Sequence, residues 1–134
     1  MKLGIVVSEY YWEEITGKML DLALMTAQEL GVGTEVIEVP GSFDIPLAAK
    51  KLLKKREIDG VVTLGAIIQG ETDHDGVIAY SIAQTLSQLS LEFEKPVMLG
   101  VNGPKMTFEQ GIARIGRAAE VVKACVEMVR RLQT

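Results

Sequence analysis

Residues 60–68 read GVVTLGAII, an uncharged run dominated by β-branched and aliphatic side chains. A stretch this short and this uniformly apolar fits a strand covered on both faces, because a surface helix of the same length would show a polar stripe. Working outward, residues 3–8 (LGIVVS) and 97–101 (VMLGV) have the same character. Residues 34–39 (TEVIEV) instead alternate polar with apolar, as a half-exposed strand at a sheet edge does. Between the strands lie segments of helical period. Residues 13–30 carry Ile15, Met19, Leu22, Leu24, Met25 and Leu30 and stop at Gly31. A second helix is expected from about Asp44 to Arg56, with Pro46 in its first turn and basic residues at its end. A third spans residues 77–94 on an Ile78, Ile82, Leu86, Leu89 stripe, and a fourth runs from Thr107, which has capping-box spacing to Gln110, toward Leu132. Strand and helix thus alternate four times. That order predicts right-handed crossovers and an α/β three-layer sandwich around a four-stranded parallel sheet.

The 134 residues suit a single domain over 1–134. With 48% hydrophobic and 24% charged residues, the chain can fill a core and is not expected to be disordered. Its 18 acidic against 14 basic residues give a net charge of -4, which argues against nucleic acid or an anionic membrane as partner. Cys125 has no second cysteine to pair with, and the apolar run at residues 3–7 is too short for a signal-peptide core. A cytoplasmic protein is expected. A narrow four-stranded sheet with open edges, in so apolar a chain, also predicts self-association.

In open parallel sheets ligands sit beyond the carboxyl ends of the strands. Four loops fall there: Tyr10-Tyr11-Trp12, Pro40-Gly41-Ser42-Phe43-Asp44, Gln69 to Asp75, and Asn102-Gly103-Pro104. The first holds three of the chain's seven aromatic residues and the third holds its only histidine, His74. Aromatic faces, a carboxylate, backbone donors and an imidazole on one edge would suit a flat, heteroaromatic, partly anionic ligand. Each residue also has a plainer reading. The aromatics serve equally as a plug over the core, Ser42 and Asp44 as helix caps, and His74 as a structural residue near a helix start.

Residues 65–72 (GAIIQGET) match the phosphate-loop pattern except that Glu71 replaces its lysine. A glutamate there removes the contact to terminal phosphates and adds repulsion, so a nucleotide triphosphatase is not expected. Glycines ahead of a helix still offer free N–H groups to a single phosphate if an arginine assists. Arg114 and Arg117, one helical turn apart, are the candidates, and a solvated surface pair is the plainer alternative. One His and one Cys give no metal-ligand spacing.

VPGSFDIPLAAKK at 39–51, GAIIQGETDHDGV at 65–77 and the stretch from Thr107 to Arg117 together resemble the lumazine synthases, most closely their archaeal branch. The family fold is a flavodoxin-like four-stranded sheet. The resemblance implies a transferase of riboflavin biosynthesis that needs no metal or redox cofactor. It condenses 5-amino-6-(D-ribitylamino)uracil with 3,4-dihydroxy-2-butanone 4-phosphate to 6,7-dimethyl-8-ribityllumazine, releasing phosphate and water. It also implies roles for matched residues. Phe43 would stack on the pyrimidine together with an aromatic from Tyr10, Tyr11 and Trp12. Ser42 and Asp44 would bind the ribityl chain, Ala66, Ile67 and Ile68 would line the ring pocket, and Leu99 would pack against the ring. Glu71, Thr72 and Arg114 would hold the phosphate, and His74 would shuttle protons. Family members form pentamers with pockets between adjacent subunits, and often shells of sixty subunits. This chain departs from the pattern at a longer first loop, at Gln69 in place of a common arginine, at Leu99 in place of an aromatic, and in a nearly absent N-terminal arm. A paralogous riboflavin synthase that dismutates two lumazines, and a non-catalytic flavin-binding protein, are the rival readings. The GETDH loop and Arg114 favour the phosphate-handling enzyme over both.

Overall fold

A computed structural model, describing residues 1–133, contains one four-stranded sheet in the order β2-β1-β3-β4, with every pairing parallel. The strands are β1 (Lys2–Ser8), β2 (Gly33–Val39), β3 (Gly60–Ile68) and β4 (Val97–Met106). Five α-helices connect and flank them: α1 (Gly17–Glu29), α2 (Ile45–Leu53), α3 (His74–Phe93), α4 (Phe108–Ala113) and α5 (Arg117–Leu132). The expected flavodoxin-like sandwich is the one observed.

Strand side chains alternate between two cores, as a pleated sheet requires. Leu3, Ile5 and Val7 of β1 and Val62, Leu64 and Ala66 of β3 pack against α1 and α5. Val6 and Val61 turn the other way and pack with Ile45, Leu52, Ile82 and Leu86 of α2 and α3. Burying each such side chain contributes about 1.5–3 kcal/mol. Cys125 lies in the first core, and burial pushes its thiol up to about 12, so it stays neutral and unreactive at neutral pH. β2 is an edge strand with a half-exposed pattern, as its alternating sequence predicts. Charges guard that edge: Glu35 pairs with Lys55 and with Lys2, and the hydrogen bond from Lys55 holds the Glu35 carboxyl below its ordinary range. Among the described residues no helix is long and apolar enough to cross a membrane.

Several boundaries differ from the sequence reading, each with a local cause. The first helix is preceded by a wide turn over Trp12–Thr16, in which the N–H groups of both Ile15 and Thr16 reach the Tyr11 carbonyl. Tyr11 itself holds a left-handed φ of 60°. The second helix begins after a tight turn at Ser42–Asp44 and ends at Leu53, short of Arg56, because the chain must turn to bury Ile58. The third begins three residues early, at His74. There Gly76 leaves room for the Asp73 carboxylate, which would lie 2.6 Å from any Cβ at that position. β4 runs on to Met106 past a register irregularity between Ala66 and Ile68. Gly103 makes the passage possible, with a φ of 117° and Ile67 O only 2.5 Å from where a Cβ would stand. The last helix is two helices, broken at residues 114–116, so Arg114 and Arg117 do not share one helical face.

Candidate active site

The order β2-β1-β3-β4 reverses direction between β1 and β3, and a crevice is expected beyond their carboxyl ends. A cavity of about 490 Å³ opens there, walled by Ala66, Ile67 and Ile68 at the end of β3. Three loops complete it. Tyr10 and Tyr11 come from the loop after β1, Gly41, Ser42 and Phe43 from the loop after β2, and Gly70, Thr72, His74 and Asp75 from the loop leading into α3. Ile78, one turn into α3, lies on its floor.

The aromatic wall is built, not merely near. Tyr10 N–H donates to Ser8 Oγ at 3.3 Å, and the Tyr10 carbonyl accepts from Thr16 Oγ1 at 3.2 Å. The Tyr11 ring is tilted against Tyr10 at 6.3 Å and against Phe108 at 5.8 Å between centroids. Gly41 lies beside the Tyr10 ring, where a Cβ would meet it at an ordinary 3.5 Å. Phe43 lines the same cavity and is 64% exposed, a large apolar face without cover in the single chain. Ser42 is buried, with its hydroxyl close to Gly65.

On the polar side the Thr72 hydroxyl accepts from the His74 N–H at 3.3 Å, folding the loop back on itself. The loop is tied to β4 at two points: Gln69 N–H donates to Met106 O at 2.8 Å, and Lys105 N–H donates to the Asp75 carboxylate at 2.8 Å. Asp75 is 4% exposed and, among the described residues, is the only carboxylate on the cavity wall. None of the described residues that line the cavity is a lysine or arginine. A phosphate held here would therefore have backbone and hydroxyl donors but no counter-charge from its own chain. No cluster of three or more His, Cys, Asp or Glu suited to a metal occurs among the described residues.

Of the residues singled out from sequence, Tyr11, Ser42, Phe43, Ala66, Ile67, Ile68, Thr72 and His74 share this cavity. Five stand apart from it. Trp12 packs onto the α1/α5 core. Asp44 Oδ2 accepts from Gly41 N–H at 3.0 Å and so closes its own turn. Glu71 is exposed and off the wall. Leu99 is 44% exposed and lines a separate groove of about 210 Å³ with Tyr80, Val101 and Pro104. Arg114 is exposed at the α4–α5 break. Asp75, Gly70 and Ile78 received no site role from sequence. Asp75 carried a hint in its place beside His74, but its burial depends on β4, which is thirty residues away.

An α/β sheet with a crevice lined by aromatic, hydroxyl and imidazole side chains at its switch point defines a protein of the flavodoxin-like class. The family model for 6,7-dimethyl-8-ribityllumazine synthase matches residues 1–133. A 6,7-dimethyl-8-ribityllumazine synthase of Picrophilus torridus is 47% identical, covering 100% of this chain and 98% of its own length. Proteins of the same name from Methanopyrus kandleri and Metallosphaera sedula are 48% and 50% identical, covering 99% and 100% of this chain and 94% and 89% of their own lengths. The chain belongs to the 6,7-dimethyl-8-ribityllumazine synthase family.

Proposed function

We propose that the cavity at the end of β1 and β3 is one half of a shared active site, completed by a second copy of the chain. The reaction is the transferase step of riboflavin biosynthesis in which 5-amino-6-(D-ribitylamino)uracil and 3,4-dihydroxy-2-butanone 4-phosphate condense to 6,7-dimethyl-8-ribityllumazine with loss of phosphate. The observation that supports the placement is the meeting of Phe43, the β3 wall, Thr72 and His74 in one cavity whose described lining holds no lysine or arginine.

In this reading Phe43 stacks on the pyrimidine, with Tyr10 or Tyr11 opposite, and Ala66 to Ile68 hold the ring edge through backbone groups. Ser42 meets the ribityl chain, with Asp44 beside it at the end of the turn. The phosphate rests on the N–H groups of residues 71–72 and on the Thr72 hydroxyl, at the positive end of α3. Its counter-charge is Arg114 of the adjacent copy, whose Leu99 also covers the exposed face of the ring pocket. The exposed Phe43 and the Leu99 groove support such docking, since each is an apolar surface left open in the single chain.

Chemically, the pyrimidine amine attacks the ketone to form an imine and water. Elimination of phosphate leaves an enol that tautomerises to a ketone, and the ribitylamino nitrogen adds to that carbonyl and closes the second ring with loss of a second water. Each step moves a proton, and His74 at the mouth of the cavity gives and takes them. Orientation of two reactants on one wall supplies much of the remaining acceleration. Pentamers, with assembly of twelve into a shell as the larger alternative, and a cytoplasmic location complete the proposal. The single, buried cysteine supports a reducing compartment.

Mixing the protein with both substrates tests it directly. Lumazine absorbance should rise and phosphate should appear faster than in buffer. Conversion of lumazine alone to riboflavin would instead support the paralogous dismutation, and tight flavin binding without turnover would support a carrier. Arg114→Ala should raise KM for the phosphorylated ketone about 10- to 100-fold, as expected for loss of a charge-assisted hydrogen bond, with little change for the pyrimidine. Equal effects on both substrates would remove the arginine from the phosphate site.

A further inference from the structure

Among the described buried polar side chains that this chemistry does not use, Asn102 alone carries an amide. Asn102 is 1% exposed and pairs across the sheet with Ala66, the first wall residue of the cavity. A buried amide is destabilising unless its donors and acceptors are met. Here they are met by the α4–α5 break. Asn102 Oδ1 accepts from Arg117 Nη1 at 3.1 Å, and Asn102 Nδ2 donates to the Arg114 carbonyl at 3.4 Å. The same carbonyl accepts from the Arg117 N–H at 3.1 Å, so the Arg114 peptide is fixed from β4 and from α5 together.

Arg117 is otherwise badly placed. It is the first residue of α5, where the helix dipole disfavours a cation, and Gly116 before it has no side chain to offer as a cap. The Asn102 carbonyl oxygen offsets that penalty. Arg114, with φ of -100° and ψ of 6°, leaves the helical conformation at this point. An unbroken helix would put the two arginines on one face. The amide instead holds Arg117 against the middle of β4, and Arg114 is left exposed.

We propose that Asn102 and Arg117 are positioning residues that hold the α4–α5 break so that the Arg114 guanidinium meets the phosphate of the adjacent copy's substrate. This rests on the assignment of Arg114 above. It also links the two halves of the site, because the strand position that orients Arg114 is in register with the wall that receives the ring.

The test is a set of kinetic measurements on the assembled enzyme with Arg114→Ala, Asn102→Ala, Arg117→Ala and Asn102→Ala combined with Arg114→Ala. Arg117 is exposed, so its variant should fold even if loss of the buried amide harms the core. Asn102→Ala and Arg117→Ala should each raise KM for 3,4-dihydroxy-2-butanone 4-phosphate about 5-fold, a fraction of the loss of a charge-assisted contact, with KM for the pyrimidine within about twofold. In the Arg114→Ala background, Asn102→Ala should add nothing to that KM, as expected for residues acting through one group. If Arg114→Ala is selective for the phosphorylated substrate but Arg117→Ala is not, the positioning role is wrong and the phosphate assignment stands. If Arg114→Ala is itself unselective, both fall.

Discussion

Phe43 and His74 reach the cavity from different loops, and their roles separate cleanly by chemistry. Phe43 offers a face and His74 a proton, so their substitutions should fail differently. His74→Ala should lower kcat by no more than about 100-fold, the low end of general acid–base catalysis, with both KM values nearly unchanged, because imine formation proceeds in water and the orienting wall is intact. Steady-state rates on a variant with a native circular dichroism spectrum measure this. Complete loss of turnover would give the imidazole a larger part than assigned here. His74 and Phe43 were both legible as residues out of place, an imidazole in a glycine-rich polar loop and an aromatic among turn formers. Asp75 was not, since a carboxylate in an acidic loop looks solvated until Lys105 N–H is seen to face it. Nor was the position of Trp12, which looks equivalent to its two tyrosine neighbours in sequence but packs inward.

At the scale of elements, the close seam is β3 against β4, under α5. A Cβ on Gly100 would stand 2.3 Å from the Thr63 carbonyl oxygen and 3.1 Å from Val121 Cγ2. The first of these is backbone that also sits in the ladder, so the strands themselves would have to part. Gly100→Ala should cost about 1–3 kcal/mol, the range for overpacked interiors, measured by denaturant unfolding at fixed protein concentration. Gly33→Ala, where the nearest atom would be an ordinary 3.7 Å away, is the control expected to differ little from the native chain. The four strands followed from their apolar or alternating patterns, and their parallel pairing from the regular alternation of strand and helix. Helix ends did not: the wide turn at Trp12–Thr16 closes on the Tyr11 carbonyl and the start at His74 on the Asp73–Gly76 fit, while the break after Ala113 also meets Asn102 of β4. The break is the instructive case, for Gly116 lies within it in the sequence, but its hydrogen bonds to Asn102, on another element, appear only in the fold.

For the whole molecule, the unfinished cavity and the open Leu99 groove predict that activity depends on assembly. Five copies of 14.6 kDa should sediment at about 73 kDa, or at twelve times that mass for a closed shell. Leu99→Asp should shift the distribution toward monomer and abolish turnover in parallel; a fully active monomer would refute a shared site. Complementation gives a second reading. Inactive or weakened His74→Ala and Arg114→Ala chains, unfolded and reassembled together, should regain part of the native rate, because some interfaces would then pair a native His74 with a native Arg114. No recovery, despite mixed oligomers shown by mass spectrometry, would place both residues in one chain's site.

The sequence by itself determined the layer order, the parallel sheet and the edge at which the ligand loops gather, because burial on two faces and strand-to-helix alternation are properties of local side-chain pattern. Tertiary structure alone decided which loop residues face the cavity, that Asp44 turns back to its own backbone, and that the two arginines part company at a bend. Asp44 closes a turn only three residues long, but the parting of the arginines and the facing of the loops depend on partners far apart in the chain, known only when the sheet has set their distance.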